Sequence, residues 1–144
     1  MTPGTYLRTR RKAAGVSIEQ LLGKIGTVPH ISERERREWI EALEADVIRP
    51  DAFAIGALRR CFAFDGDVLA QLVDRHHFGA CLPPPRLCRR CACSQDDPCL
   101  DGSPGGTCGW AEYDLCTSCT PRLAPAPALP VPANLNGTSA GAAA

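Results

Sequence analysis

Gly15-Val16-Ser17-Ile18-Glu19-Gln20-Leu21-Leu22 is the stretch that decides the fold of the first half of the chain. Gly15 lacks a Cβ and is a natural left-handed stop for a preceding helix. Ser17 and Gln20 have the spacing of a capping box, in which each side chain satisfies a free backbone N–H of the other residue. Val16 and Leu21 flank that box at the positions of a hydrophobic staple. One helix therefore ends here and another begins. The first spans 4–14, and the second runs from Ser17 to about Gly26 with Leu21, Leu22 and Ile25 inward. Further on, Ser32 and Glu35 repeat the capping-box spacing, and Trp39, Ile40, Leu43 and Val47 keep a helical period until Pro50 stops it. Ile55, Leu58 and Phe62 mark a fourth helix over 51–62. Asp65 caps a fifth that carries Val68, Leu69, Leu72 and Val73. Residues 1–78 thus read as five amphipathic helices around one small core, and the fold class is mainly α.

Charge is balanced over the whole chain, with 16 Lys+Arg against 16 Asp+Glu, which argues against a generally adhesive nucleic-acid binder. Its distribution is uneven. Residues 1–12 hold Arg8, Arg10, Arg11 and Lys12 and no acid. Gly4, Leu7, Arg11, Gly15, Ser17 and Leu21, then Ile40, Leu43-Glu44, Pro50, Leu58, Phe62-Ala63-Phe64-Asp65 and Leu69, form a set that resembles the lambda-repressor-like, XRE-type helix-turn-helix regulators of phage and prophage. The resemblance covers residues 4–73. It implies a helix-turn-helix domain bound to double-stranded DNA, with the third helix in the major groove and the second bracing it. Carried onto this sequence, it makes Arg34, Arg36, Arg37 and Glu41 groove-facing and adds Ser17 at the start of the second helix. It makes Arg8, Arg10, Arg11 and Lys12 phosphate contacts, which position without reading sequence. Arginine suits base reading because its fork donates to both guanine O6 and N7. Glu33–Arg37 and Arg34–Glu38 also have i,i+4 spacing, so the third helix is expected to neutralise part of its own charge.

A second pattern begins at Cys88. Cys88-Arg89-Arg90-Cys91-Ala92-Cys93 is followed by Cys99, Cys108 and Cys116-Thr117-Ser118-Cys119, which places seven of nine cysteines within 88–119. Two Cys-x2-Cys knuckles point to a tetrahedral zinc site made by Cys88, Cys91, Cys116 and Cys119. Four thiolates leave the ion no open position, so its role is structural, and Arg89 and Arg90 are placed to offset the negative charge. Cys93, Cys99 and Cys108 are left with three roles: inert reduced thiols, additional ligands completing two bridged zinc tetrahedra, or ligands of an iron–sulfur cluster. His76-His77 offers a further ligand or simply favours a helix C-terminus. The segment is also similar to cysteine-rich modules of phage and prophage proteins, through its C-x2-C-x-C start, Cys108-Gly109-Trp110 middle and Leu115-Cys116-x2-Cys119 end.

The expected organisation is a helix-turn-helix domain over 1–78, a Pro-rich linker over 79–87, a zinc-binding module over 88–119 and a disordered Pro/Ala-rich tail over 120–144. No run of about 18 apolar residues occurs, and no leader pattern opens the chain, so a cytoplasmic location away from membranes is expected. No nucleophile–base pair, phosphate loop or paired carboxylates stand out, so the chain reads as non-enzymatic. The leading function is a sequence-specific DNA-binding transcriptional regulator with a structural zinc module. The alternatives are a zinc-stabilised adaptor that binds a protein through the module, and a redox or iron–sulfur sensor. A homodimer is compatible with each.

Overall fold

A computed structural model describes residues 1–27, 30–100 and 105–120. The part of the tail beyond residue 120 lies outside the described residues. The chain is mainly helical, with α1 (Pro3–Ala13), α2 (Ile18–Lys24), α3 (Glu33–Glu44), α4 (Ala52–Arg59) and α5 (Gly66–Phe78). A small antiparallel hairpin follows, made of β1 (Trp110–Glu112) and β2 (Leu115–Cys116), then a 3-10 turn over Thr117–Cys119. Among the described residues no helix is long and apolar enough to cross a membrane.

Each helix begins where a short polar side chain accepts its free amides. Thr2, Asp51 and Asp65 cap α1, α4 and α5, and both capping boxes, Ser17 with Gln20 and Ser32 with Glu35, are closed from both sides. α1 is central: it packs on α3 and on α5, while α2 packs on α3. Tyr6, Leu7, Leu21, Ile40, Leu43 and Leu69 are fully enclosed between them. The Tyr6 hydroxyl accepts from the Asp65 amide at 2.9 Å, which ties α1 to the start of α5. Burial pushes that phenol up to about 12.

Two details set how α1 meets α3. A Cβ on Gly4 would stand 2.8 Å from the carbonyl of Glu44, so only glycine allows the two backbones to touch. Gly4→Ala is expected to lower stability by about 1–3 kcal/mol, seen as a lower denaturant midpoint at unchanged slope. An unchanged midpoint would mean that the close approach is absent in solution. The second detail corrects the sequence reading. Val47 is not on the inner face of the third helix: α3 stops at Glu44, and Val47 is 75 % exposed. Asp46 turns the chain with φ +59°, a left-handed conformation stabilised because its carboxylate accepts from the Gly4 amide at 2.7 Å and from the Thr2 hydroxyl. A local capping interaction has overridden the apolar period.

The cysteine-rich half lies against the helices. Leu87 and Ala92 are buried in the helical core. The Ser94 hydroxyl donates to Asp65 at 3.2 Å, and Arg10 on α1 pairs with Asp97 at 2.5 Å. In the stretch before Cys88, the Gln71 amide of α5 donates to the Pro83 carbonyl at 2.9 Å.

Candidate metal centre

The centre is assembled by three tight turns. In the first, the Ala92 amide donates to the Cys88 carbonyl at 2.8 Å and the Cys88 amide to the Cys93 carbonyl at 3.0 Å. Ala92 takes a left-handed φ of +57° to close this loop, and Cys88, Cys91 and Cys93 are all buried. In the second turn, the Cys108 amide donates to the Cys99 carbonyl at 2.8 Å, beside a bridge between Leu100 and Thr107. The third is the β1–β2 hairpin, where Trp110 faces Cys116 across the strands and the 3-10 turn carries the chain on to Cys119. Arg86 stacks on Trp110 at 4.2 Å and donates to the Tyr113 carbonyl at 2.7 Å, clamping the hairpin from outside.

All seven cysteines of this half meet in one cluster. The thiols of Cys88, Cys91, Cys93 and Cys116 lie within 4.8 Å of one another, and so do those of Cys93, Cys99, Cys108 and Cys116. Cys91 and Cys116 are 3.7 Å apart, as are Cys93 and Cys108. A tetrahedral ion with metal–sulfur bonds of about 2.3 Å requires sulfur–sulfur edges of about 3.8 Å. These two pairs are therefore already at coordination spacing. Cys119 packs on the same cluster as a half-buried residue. Three of the four knuckle cysteines, Cys88, Cys91 and Cys116, fall in a single close group, and its fourth member is Cys93.

Electrostatics favour a cation here. Burial raises the Cys88 thiol, but amides of Cys116, Cys91 and Arg90 pointing at its sulfur outweigh burial and bring it down to about 6. Around it, burial and the Cys91 sulfur push Cys99 up to about 12, and burial also raises Cys93 and Cys119. Seven thiols this close cannot all ionise without positive charge among them, which a bound dication would supply. Of the flanking arginines, Arg90 donates to the Cys119 carbonyl at 3.0 Å, whereas Arg89 is engaged by Glu112 and Asp114. His76 and His77 stack edge-on at the exposed end of α5 and are in neither thiol group. Cys61 and Cys81 stand apart from the cluster as well.

The expected DNA-contacting residues are not all presented alike. Arg8 and Lys12 are exposed on α1. Arg10 and Arg11 are only 8 % and 5 % exposed. Arg10 is held by Asp97, and Arg11 grips Glu44 through two bonds of 2.5 and 2.8 Å and donates to the Val16 carbonyl. These two are internal ties, because a carboxylate already occupies the place a phosphate would take. Ser17 is exposed but spends its hydroxyl oxygen on the Gln20 amide. On α3, Arg34 and Glu38 form the expected exposed pair at 3.7 Å. Arg37 turns instead to Glu19 of α2 at 2.9 Å, and Arg36 is half-buried with its guanidinium on the Ile31 carbonyl. Glu41 is exposed.

Sequence reasoning missed the partners Glu44, Asp97, Asp65 and Ser94. A usable signal existed only for Glu44, whose place between Leu43 and the end of an apolar stripe marks a carboxylate at the edge of the core. Comparison with protein-family models, with curated proteins and with solved structures finds no match to the chain.

Proposed function

We propose that the chain is a double-stranded-DNA-binding regulator whose thiolate centre holds structural zinc. Zinc suits the centre because it accepts tetrahedral all-sulfur ligation and leaves no open position for chemistry. The observation that carries DNA binding is the burial gradient along α3. Its first half, with Glu33, Arg34 and Glu38, stands in solvent, while Ile40, Leu43 and Glu44 are buried. A recognition helix is used in this way, entering the major groove by its N-terminal residues. Arg34 and Arg37 lie three residues apart on that projecting part, within reach of Glu38 and Glu41.

The test is binding of the purified protein to DNA from around its own gene, as a function of salt. Arg34→Ala or Arg37→Ala is expected to reduce discrimination of the true site by about 1–3 kcal/mol. Arg8→Ala and Lys12→Ala should weaken binding to all sequences and flatten the log–log salt slope by about 0.9 per lost contact. Glu38→Gln should strengthen non-specific binding, since it removes a charge that repels phosphate. A second reading has its own support. The residues of α3 exposed to solvent are Glu33, Glu35, Glu38 and Glu41 against Arg34, with Arg36 and Arg37 half-buried beside them, a mixed-charge face suited to a protein partner. No binding to DNA at low salt, with none of these substitutions mattering, selects that adaptor.

A further inference from the structure

We infer that the centre holds two zinc ions joined through the Cys116 sulfur, with all seven cysteines as ligands. Tetrahedral coordination of two ions needs eight positions, and seven thiolates fill them when one is shared. Cys93 and Cys116 each belong to both close groups of thiols, and Cys116 is the one of the two that also sits in a Cys-x2-Cys knuckle whose other member, Cys119, is still unassigned. The first ion takes Cys88, Cys91 and Cys116 from one close group, and Cys119, which packs on the same cluster, fills the fourth place so that Cys93 is left for the second ion. The second ion takes the other close group entire: Cys93, Cys99, Cys108 and Cys116. Within it, Cys93 and Cys108 are 3.7 Å apart, and the Cys99 amide donates to the Cys108 sulfur at 3.1 Å. The Cys116 amide likewise faces the Cys88 sulfur at 3.5 Å.

A mononuclear site would leave Cys93, Cys99 and Cys108 without a task. Yet Cys93 is fully buried in the middle of the cluster, and Cys91 and Cys99 approach to 3.3 Å across it. Such packing of sulfurs has little apolar surface behind it, with Leu115 and Trp110 as its companions. Metal–sulfur bonds give it a cause. On loading, the S–H bonds of seven cysteines are replaced by eight Zn–S bonds, and the displaced protons pass to solvent. The site then carries a formal charge of −3, which amide N–H groups at sulfur and the neighbouring Arg90 offset.

The inference rests on zinc as the metal and is independent of DNA binding. The test uses the full chain purified with its metal. Elemental analysis is expected to give two zinc ions per chain, falling to one in Cys99→Ser and Cys108→Ser. Cobalt replacement reads the bridge directly in the unaltered protein. The paramagnetic resonance signal should grow to the first equivalent of cobalt and fall with the second, as the two spins couple through the shared sulfur. One zinc per chain, or a signal that grows in proportion through two equivalents, overturns the pair while leaving structural zinc intact. Two zinc ions retained with full affinity in Cys119→Ser overturns the seven-ligand assignment and moves the fourth place on the first ion to Cys93. Stoichiometric iron and sulfide overturn zinc itself.

Discussion

Chelating the metal is expected to unfold residues 88–119 while α1–α5 keep their helical signal. The reason is the small amount of apolar surface in that segment. Apart from thiols, Leu115 and Trp110 are the only large side chains in its cluster among the described residues. Structural zinc contributes about 10–16 kcal/mol to the folding of small zinc peptides, far more than two apolar side chains supply. Hydrogen exchange resolved by segment would show the loss of protection at 88–119, and Cys116→Ser should reproduce it. Cys61→Ser is the control, because Cys61 lies outside the cluster. The helical half should also melt earlier, since Leu87 and Ala92 leave its core and Arg10 loses Asp97. Full protection of 88–119 after complete removal of metal would sink the idea that coordination holds the segment together.

The second large effect belongs to Arg11 and Glu44. Their forked contact is buried and joins α1 to the last turn of α3. Removing one partner leaves a charge in the core and should cost about 3–5 kcal/mol. Arg11→Met and Glu44→Leu made together should be close to the parent, because two apolar side chains leave nothing uncompensated. The exposed Arg34–Glu38 pair supplies the contrast, with less than about 1 kcal/mol at stake. A denaturant-based double-mutant cycle measures both couplings. Equal couplings for the two pairs would show that Arg11 and Glu44 are solvated.

The helices were legible because their signals are local. Ser17–Gln20 and Ser32–Glu35 span three residues each, and Gly15 takes the left-handed φ of +69° that a stop requires. The end of α3 was not legible, because Asp46 turns the chain to reach Thr2 and Gly4, more than 40 positions away. The basic segment misled for the same reason. Sequence displays the charge of Arg10 and Arg11 but not their carboxylates, which arrive from positions 97 and 44. At the candidate metal centre, spacing pointed to Cys88, Cys91 and Cys116, which the fold brings into one close group. It could not place Cys93, Cys99 and Cys108, whose convergence depends on the Ala92 turn and on the hairpin folding back over it.

The bond between Arg10 and Asp97 also sets an order of assembly. Synthesis proceeds at about 5–20 residues per second, so α1 is complete several seconds before Asp97, the half-buried partner of Arg10, leaves the ribosome. Until then Arg10 must stay hydrated, and the face of α1 that receives the cysteine-rich half stays open. Cys116 emerges later still, and a nascent chain that has not yet exposed it cannot close the centre. On the zinc reading proposed above, metal capture would follow the folding of the helices, and newly made chains would pass through a helical, metal-free stage that zinc starvation should enrich.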